Sequence, residues 1–480
     1  MHRLFRRLSI AASALLGMFL TLYVPARAQT ATVSGSTVYQ VISGWGASTG
    51  YNERNNNLTS AQADCFFSTS NASCAAGNSI GLSVIRIQDN QTAGSAPDLP
   101  TLLLAQARGA QIELGFNPAA LNIGSYASTA SYDVAKIQYL QSHGLTVSAI
   151  SPINEPLNTG TTGAEIDTFV ASYLYPALVT AGLNTIPITL PEGSYWFPAN
   201  ASTQDFTSAC MNDSNCGPHI AAVSGHGYFG YGSQAGSQTV DGFPTLGVWA
   251  ECCVQYSANP PPSVAAGKPV WQTEINGGFT GPCVVDKGLA NYDSSQADAL
   301  VWAHNIHDFL TVAGGTQWLF WNLASETANG ATSCNDGLTD QSFNPAKRFY
   351  AIGNWSRFVR PGWVRVAATA SPQANVYVTA FTDTSTGAFV IVVINDQGRQ
   401  VSQPFSLRGL SASSVTPWIT DASNNLASRP PVQISGSAFT AKLTANSVTT
   451  YVSNSSNGRK SGTGNHAPQV WWSGLIKRRE

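Results

Sequence analysis

Two of the nine glutamates in this 480-residue chain sit where a short apolar run ends. Glu155 follows Ala149-Ile150-Ser151-Pro152-Ile153-Asn154 and is closed off by Pro156; Glu274 follows Pro269-Val270-Trp271-Gln272-Thr273. Two carboxylates facing one cavity can cleave an acetal: a protonated one donates to the leaving oxygen while an ionised one attacks the anomeric carbon or activates water. That chemistry needs no cofactor, and none is expected. Asn154 stands beside the first acid, where its amide can hydrogen-bond a sugar hydroxyl next to the scissile bond. The two glutamates are 119 residues apart, so only a closed arrangement of strands would bring them together.

The surrounding pattern supplies such an arrangement. From Trp45 to about Arg360, short apolar segments alternate with helical patterns. Strands are expected at Val84 to Ile87, Gln111 to Gly115, Val147 to Ile150, Thr185 to Leu190, Ala222 to Gly225, Pro269 to Thr273 and Thr316 to Trp321, with one more around Val41 to Gly44. Helices are expected at Ser131 to His143, with Val134, Ile137 and Leu140 on one face, and at Ala164 to Ala181 before Gly182. Eight strand-helix units of roughly thirty residues suit a (β/α)8 barrel, whose catalytic side chains sit at the C-terminal ends of the strands. By this count the two glutamates end the fourth and seventh strands. After Arg365 the pattern changes to strands separated by turn residues: Val376 to Phe381, Phe389 to Asn395, Val401 to Leu407, Val432 to Ile434, Phe439 to Leu443 and Val448 to Val452. These predict an antiparallel sandwich, to which the alternating segment Ala31 to Gln40 could add a strand.

Composition narrows the function classes. With 24 Lys and Arg against 26 Asp and Glu, the chain lacks the clustered basic charge that nucleic-acid backbones require. The N-terminus reads as an export signal: Arg3, Arg6 and Arg7 precede an apolar run from Leu8 to Val24, and Ala26-Arg27-Ala28 offers a cleavage site. Removing residues 1 to 28 leaves 20 basic against 26 acidic residues, and no later stretch reaches the ~20 apolar residues of a membrane span. A secreted monomer is expected, in the extracellular space or periplasm, with no membrane partner after cleavage. Export permits disulfides, and the eight cysteines (Cys65, Cys74, Cys210, Cys216, Cys252, Cys253, Cys283 and Cys334) lack zinc-site spacing. Their connectivity is not readable from spacing. Gly225-His226-Gly227-Tyr228-Phe229-Gly230 matches G-x-G-x-x-G, but no helix pattern follows it as a dinucleotide fold requires. Neither a G-x-S-x-G elbow nor an H-E-x-x-H helix occurs.

Three motifs in order carry a resemblance. Ser151-Pro152-Ile153-Asn154-Glu155-Pro156, then Trp271-Gln272-Thr273-Glu274, then the run from Arg348-Phe349-Tyr350 to Arg360-Pro361-Gly362 resemble glycoside hydrolase family 30. The resemblance extends from about Val38 to Val452 and implies a (β/α)8 TIM barrel with a C-terminal side β-sandwich completed by an N-terminal strand. Expected boundaries are a signal peptide at 1–28, sandwich strand at 29–42, barrel at 43–362, sandwich at 363–453 and a disordered tail at 454–480. The resemblance implies that Glu155 is the acid/base and Glu274 the nucleophile of a retaining mechanism. It also places Arg86 at the end of strand two, where an arginine hydrogen-bonds the nucleophile and keeps it ionised. His226, Tyr228 and Tyr231 follow strand six, where a His or Tyr could orient the nucleophile. Trp321 ends strand eight and Trp45 follows strand one, so both are candidate surfaces for stacking a sugar ring.

The implied substrate is a polysaccharide or oligosaccharide, with an endo-β-1,4-xylanase preferred. The alternatives are an endo-β-1,6-galactanase or glucanase, an exo-β-glycosidase, or a carbohydrate-binding protein without turnover. Family members that grip a glucuronate branch use a basic residue in the loop after strand eight. Here that loop, Asn322 to Asn344, has no Lys or Arg and carries Glu326, Asp336 and Asp340.

Overall fold

The computed structural model describes residues 28–454, apart from 51–52, 71–72, 75–76, 119, 195–202, 228–238, 241–242, 245–267, 277–291, 312 and 329–331. The export signal, the C-terminal tail, Tyr228, Tyr231, Cys252, Cys253 and Cys283 therefore lie outside the described residues.

The first strand, β1 (Ala31–Val41), belongs to the side sheet, and the barrel begins with β2 (Gly44–Ser48). It continues through β3 (Val84–Gln88), β4 (Gln111–Gly115), β5 (Val147–Ser151), β6 (Ile188–Gly193), β7 (Ile220–His226), β8 (Val270–Glu274) and β9 (Gln317–Ala324). Each pairs in parallel with its sequence neighbour, and two closing ladders, β9 with β2 and β9 with β8, complete the ring. The strands are nearly continuous apolar runs because both faces are covered; β3 is buried along its whole length.

Helices on the outside supply that cover. In α1 (Tyr126–Ser142) the buried residues Tyr126, Ala130, Ile137 and Leu140 recur at helical spacing, and Gly144, at φ +87°, takes the left-handed turn after it. The helix starts five residues before the expected Ser131 because Tyr126 and Ala130 extend the buried stripe back by a turn. A longer helical stretch opens at Gly163 behind a Thr162/Glu165 capping box and runs to Thr180, with a π turn at Val170–Leu174 in its middle. Strand β6 lies about three residues later than expected. A turn closed by Ile186 N–H on Leu183 C=O occupies the preceding residues, and this delay carries Glu192 to the strand's end.

The side domain is one ten-stranded sheet that curls over its own core. Its C-terminal members include β10 (Val364–Ala368), β11 (Val376–Thr382), β12 (Phe389–Asn395), β13 (Val401–Arg408), β14 (Ser414–Thr420), β15 (Ala438–Leu443) and β16 (Ser447–Asn454). The N-terminal β1 sits inside this sheet, antiparallel to β10 and parallel to β13. Curling brings Tyr451 of β16 to Phe405 and Phe439, which stack with ring centroids 5.0 Å apart. Helix α2 (Lys347–Ser356), the third motif, bolts the barrel to the sheet: Asn354 donates to Trp418 C=O and Thr450, and Trp355 donates to Thr379.

Candidate active site

Five barrel strands deliver polar side chains to one place. Arg86 and Gln88 come from the end of β3, Glu192 from β6, His226 from β7 and Glu274 from β8; Asn154 and Glu155 follow β5. All but Glu155 are at least nine-tenths buried. Two of these residues, Glu155 and Glu192, hold left-handed backbone at φ +45° and +56°, a conformation non-glycine residues adopt at a cost of order 1–3 kcal/mol. The Glu155 N–H donates to the Glu192 C=O at 2.8 Å, so the two irregular segments brace each other.

Arg86 donates through Nη1 to Glu274 and through Nη2 to Asn154 at 3.0 Å, and Nη2 stands 3.3 Å from Glu192. Gln88 adds a bond to Glu274 at 2.6 Å. Gly115, at the end of β4, leaves the room for this guanidinium: a Cβ there would lie 2.7 Å from Nη2. His226 is the second buried cation. Its Nδ1 is 2.9 Å from Glu155 Oε1 and 3.3 Å from Glu274 Oε2, while its Nε2 is 3.2 Å from Glu192 Oε2. Asn158 binds the other Glu155 oxygen at 2.6 Å.

Two cations thus face three carboxylates, and each titration reflects that crowd. Burial would push the His226 imidazole down, but Glu274, Glu155 and Glu192 outweigh it and raise it to about 9. Burial would push Glu192 up, yet Arg86, His226 and Ser224 hold it at about 2. For Glu274 burial wins over the His226 and Arg86 charges, and its carboxyl lies above the ordinary range. Burial would push the Glu155 carboxyl up, but the bond and charge of His226, with the Arg86 charge among the lesser causes, together hold it below its ordinary value.

The nearest ligand atoms of Glu155, His226 and Glu274 lie within 4.8 Å of one another, a spacing that a divalent cation could also use. Both ring nitrogens of His226 already face carboxylates, and a guanidinium occupies the cation position beside Glu274. The protein's own cations therefore serve this carboxylate set.

The stacking candidates separate. Trp45 is 1% exposed and its indole N–H donates to the Val359 C=O, so it fills the core beneath the third motif and offers no face to a sugar. Trp321 is half-buried within β9, and its backbone N–H donates to Ile275 C=O. Glu192, Gln88 and Asn158 were absent from the sequence-based site. Gln88 shares the strand-end face of Arg86 two residues on, a period-two signal that could have found it. The acids after β9 have structural work: Asp336 accepts from Asn322 and the Glu326 N–H, and Asp340 accepts from Ser342 and Asn344. Cys65 and Cys74, and Cys210 and Cys216, sit at disulfide distance. Among the described residues, no helix is long and apolar enough to cross a membrane.

With the barrel, the side sheet and this carboxylate set in view, comparison with known proteins becomes specific. A GH30 endoxylanase from Clostridium papyrosolvens C71 superposes with a TM-score of 0.68 at 24% identity, over 89% of this chain and all of that one. The fold is that of glycoside hydrolase family 30. The endo-β1,6-glucanase BT3312 also superposes, at a TM-score of 0.64 and 19% identity over 89% of this chain and 94% of that one. In sequence, the chain is 35% identical over 193 residues to glucuronoxylanase XynC of Bacillus subtilis, covering 39% of this chain and 40% of that protein. The chain thus aligns with about two fifths of the length of the curated relatives it matches. No family model matches the chain.

Proposed function

We infer that this chain is a secreted, retaining β-glycoside hydrolase of family 30 that cleaves a cell-wall polysaccharide as an endo-β-1,4-xylanase. The observation that carries the reading is the close approach of Glu155 and Glu274, within 4.8 Å between nearest oxygens at the ends of two strands of a closed barrel. Retaining glycosidases hold their carboxyls about 5–5.5 Å apart, whereas inverting ones need about 6.5 Å or more to admit a water. Similarity to a glucuronoxylanase and to a GH30 endoxylanase supports xylan as substrate. In this reading Glu274, held by Arg86 and Gln88, attacks the anomeric carbon while Glu155 protonates the leaving oxygen. Glu155 then draws the proton from the water that releases the sugar. Asn154, fixed by Arg86, presents its amide to the substrate. Export through the N-terminal signal and oxidation of the two close cysteine pairs complete the proposal.

The test is product analysis with wild type beside Glu274→Gln on unbranched xylan, glucuronoxylan, β-1,6-glucan and β-1,6-galactan, with the product anomer followed by NMR. Xylo-oligosaccharides released first as the β-anomer, and absent with the variant, are expected. Because the loop after β9 offers no basic side chain, unbranched xylan should be cut as readily as glucuronoxylan. Products from a β-1,6-linked polymer alone would replace the xylanase reading; first release of the α-anomer would overturn retention. No turnover of any polymer or small glycoside would leave a binding protein.

A further inference from the structure

Family-type catalysis asks Glu155 to deliver a proton, yet the environment that surrounds it favours its anion. The resolution lies behind it, on two neighbouring strands. His226 is 0% exposed and lies between Glu155 Oε1, 2.9 Å from Nδ1, and Glu192 Oε2, 3.2 Å from Nε2, with Glu274 Oε2 a second, longer neighbour of Nδ1 at 3.3 Å. Glu192 is 1% exposed and is fixed from two further sides: Arg86 Nη2 at 3.3 Å and the Thr273 hydroxyl. Facing this carboxylate are Arg86 from β3, His226 from β7 and Glu274 from β8, with Glu113 of β4 acting across the barrel.

We propose that Glu192 and His226 form a proton store behind Glu155. Glu192 fixes the ring with hydrogen on Nε2, and Nδ1 holds the proton that Glu155 hands to the leaving oxygen. The inference rests on the glycosidase reading above and adds to it two positioning residues. Because Nε2 is committed to a permanent anion, every proton exchanged by the ring passes through Nδ1, whose nearer partner is Glu155 rather than Glu274. As the glycosidic C–O bond breaks, its electron pair leaves with the aglycone oxygen, which takes a proton from Glu155. Glu155 carries that proton only in transit, receiving it from Nδ1 and ending ionised, while a Glu274 lone pair forms the new bond to the anomeric carbon. In the second half Glu155 takes a proton from water, the water oxygen displaces Glu274, and the proton returns to Nδ1. Charge balances: the imidazolium and two carboxylates become a neutral ring, one carboxylate and a glycosyl ester, then revert. The barrel keeps this store out of solvent.

The full-length protein tests it through Glu192→Gln and Glu192→Asp. With unbranched xylohexaose, whose leaving group needs protonation, Glu192→Gln should lower kcat/KM about tenfold to a hundredfold and move the alkaline limb of its pH profile downward. With a dinitrophenyl xylobioside, whose leaving group needs no proton, the loss should be far smaller. Glu192→Asp should return the limb toward wild type. Independently of turnover, nitrogen NMR of His226 should show Nε2 protonated throughout and Nδ1 titrating, at lower pH in Glu192→Gln. A folded Glu192→Gln protein with an unmoved limb, equal losses on both substrates, or unchanged Nδ1 titration would overturn the store. If wild type hydrolyses neither substrate, the xylanase reading falls, and the NMR titration still decides whether Glu192 governs the ring.

Discussion

The mouth of the barrel and the inside of the side sheet are both buried, yet they are built from opposite materials. At the barrel mouth Arg86, Glu192, His226 and Glu274 are each at most 2% exposed and touch one another. Inside the curled sheet the apolar cluster is Val, Ile, Leu, Ala, Phe and one Tyr; neutral Gln403 and Asn395 are buried in its strands, and among the described residues of this domain Asp421 is the one buried acid or base. Desolvating paired charges consumes most of what their attraction returns, whereas apolar burial yields roughly 25 cal/mol per Å². The comparison assigns different duties: the sheet and the barrel's apolar layers hold the chain folded, and the charged mouth spends stability to preset a reaction. A strained φ at Glu155 and Glu192 fits the same division, since the surrounding bonds impose it.

The division can be broken by substitutions on either side. Glu274→Gln should lower kcat by ~10⁴-fold or more, the scale of losing a nucleophile. The fold should tolerate it: Arg86 keeps Glu192 and Asn154, and two cations then face two carboxylates instead of three. A melting temperature that is unchanged or raised is expected by calorimetry; a large drop would mean that the charged mouth is a stability element after all. On the other side, Phe405→Ala empties a site stacked on Phe439 and should cost about 3–5 kcal/mol in urea unfolding. Activity per folded molecule should remain at the wild-type level. If it falls together with stability, the sheet does more than buttress the barrel.

How much of this was legible depended on which signal a region carries. The strands of the sheet announce themselves by alternation, as in β13, where exposure alternates from Val401 to Arg408. Strand β14 escaped because Pro417 lies in its middle, and a proline argues against a paired strand; it is accommodated between β16 and short segments at 427–428 and 432–433. At the barrel mouth, Glu155 and Glu274 were found because each ends a recognisable apolar run. Glu192 was not, because Leu190-Pro191-Glu192-Gly193 reads as a turn, and only tertiary pairing with β7 draws it into the strand. Trp45 failed in the other direction. An aromatic beside two glycines resembles a cleft wall, but the strand turns it outward against the helix layer, where Val359 satisfies its N–H.

The smallest effect expected probes the boundary between the two materials. Glu113 lies on β4, opposite Arg86 in the β3–β4 register, 5% exposed, with Oε2 accepting from Gln317 at 2.9 Å. Burial pushes its carboxyl up to about 8, beyond what the Gln317 bond and Arg86 offset. The sign follows from proton counting. Between the ordinary carboxyl value near 4.5 and about 8, the unfolded chain has released this proton while the folded chain retains it. Stability from this group is therefore flat below that window and falls as pH rises through it. Glu113→Gln keeps an acceptor for Gln317 and removes the titration, so its advantage over wild type should be near zero at the acidic edge. It should grow to on the order of 1–3 kcal/mol at the alkaline edge, read from urea midpoints across pH. A pH-independent difference would mean that Glu113 is ionised in the folded protein. It would then compete with Glu274 and Glu192 for Arg86, and the preset charge balance at the mouth would extend one layer deeper into the barrel.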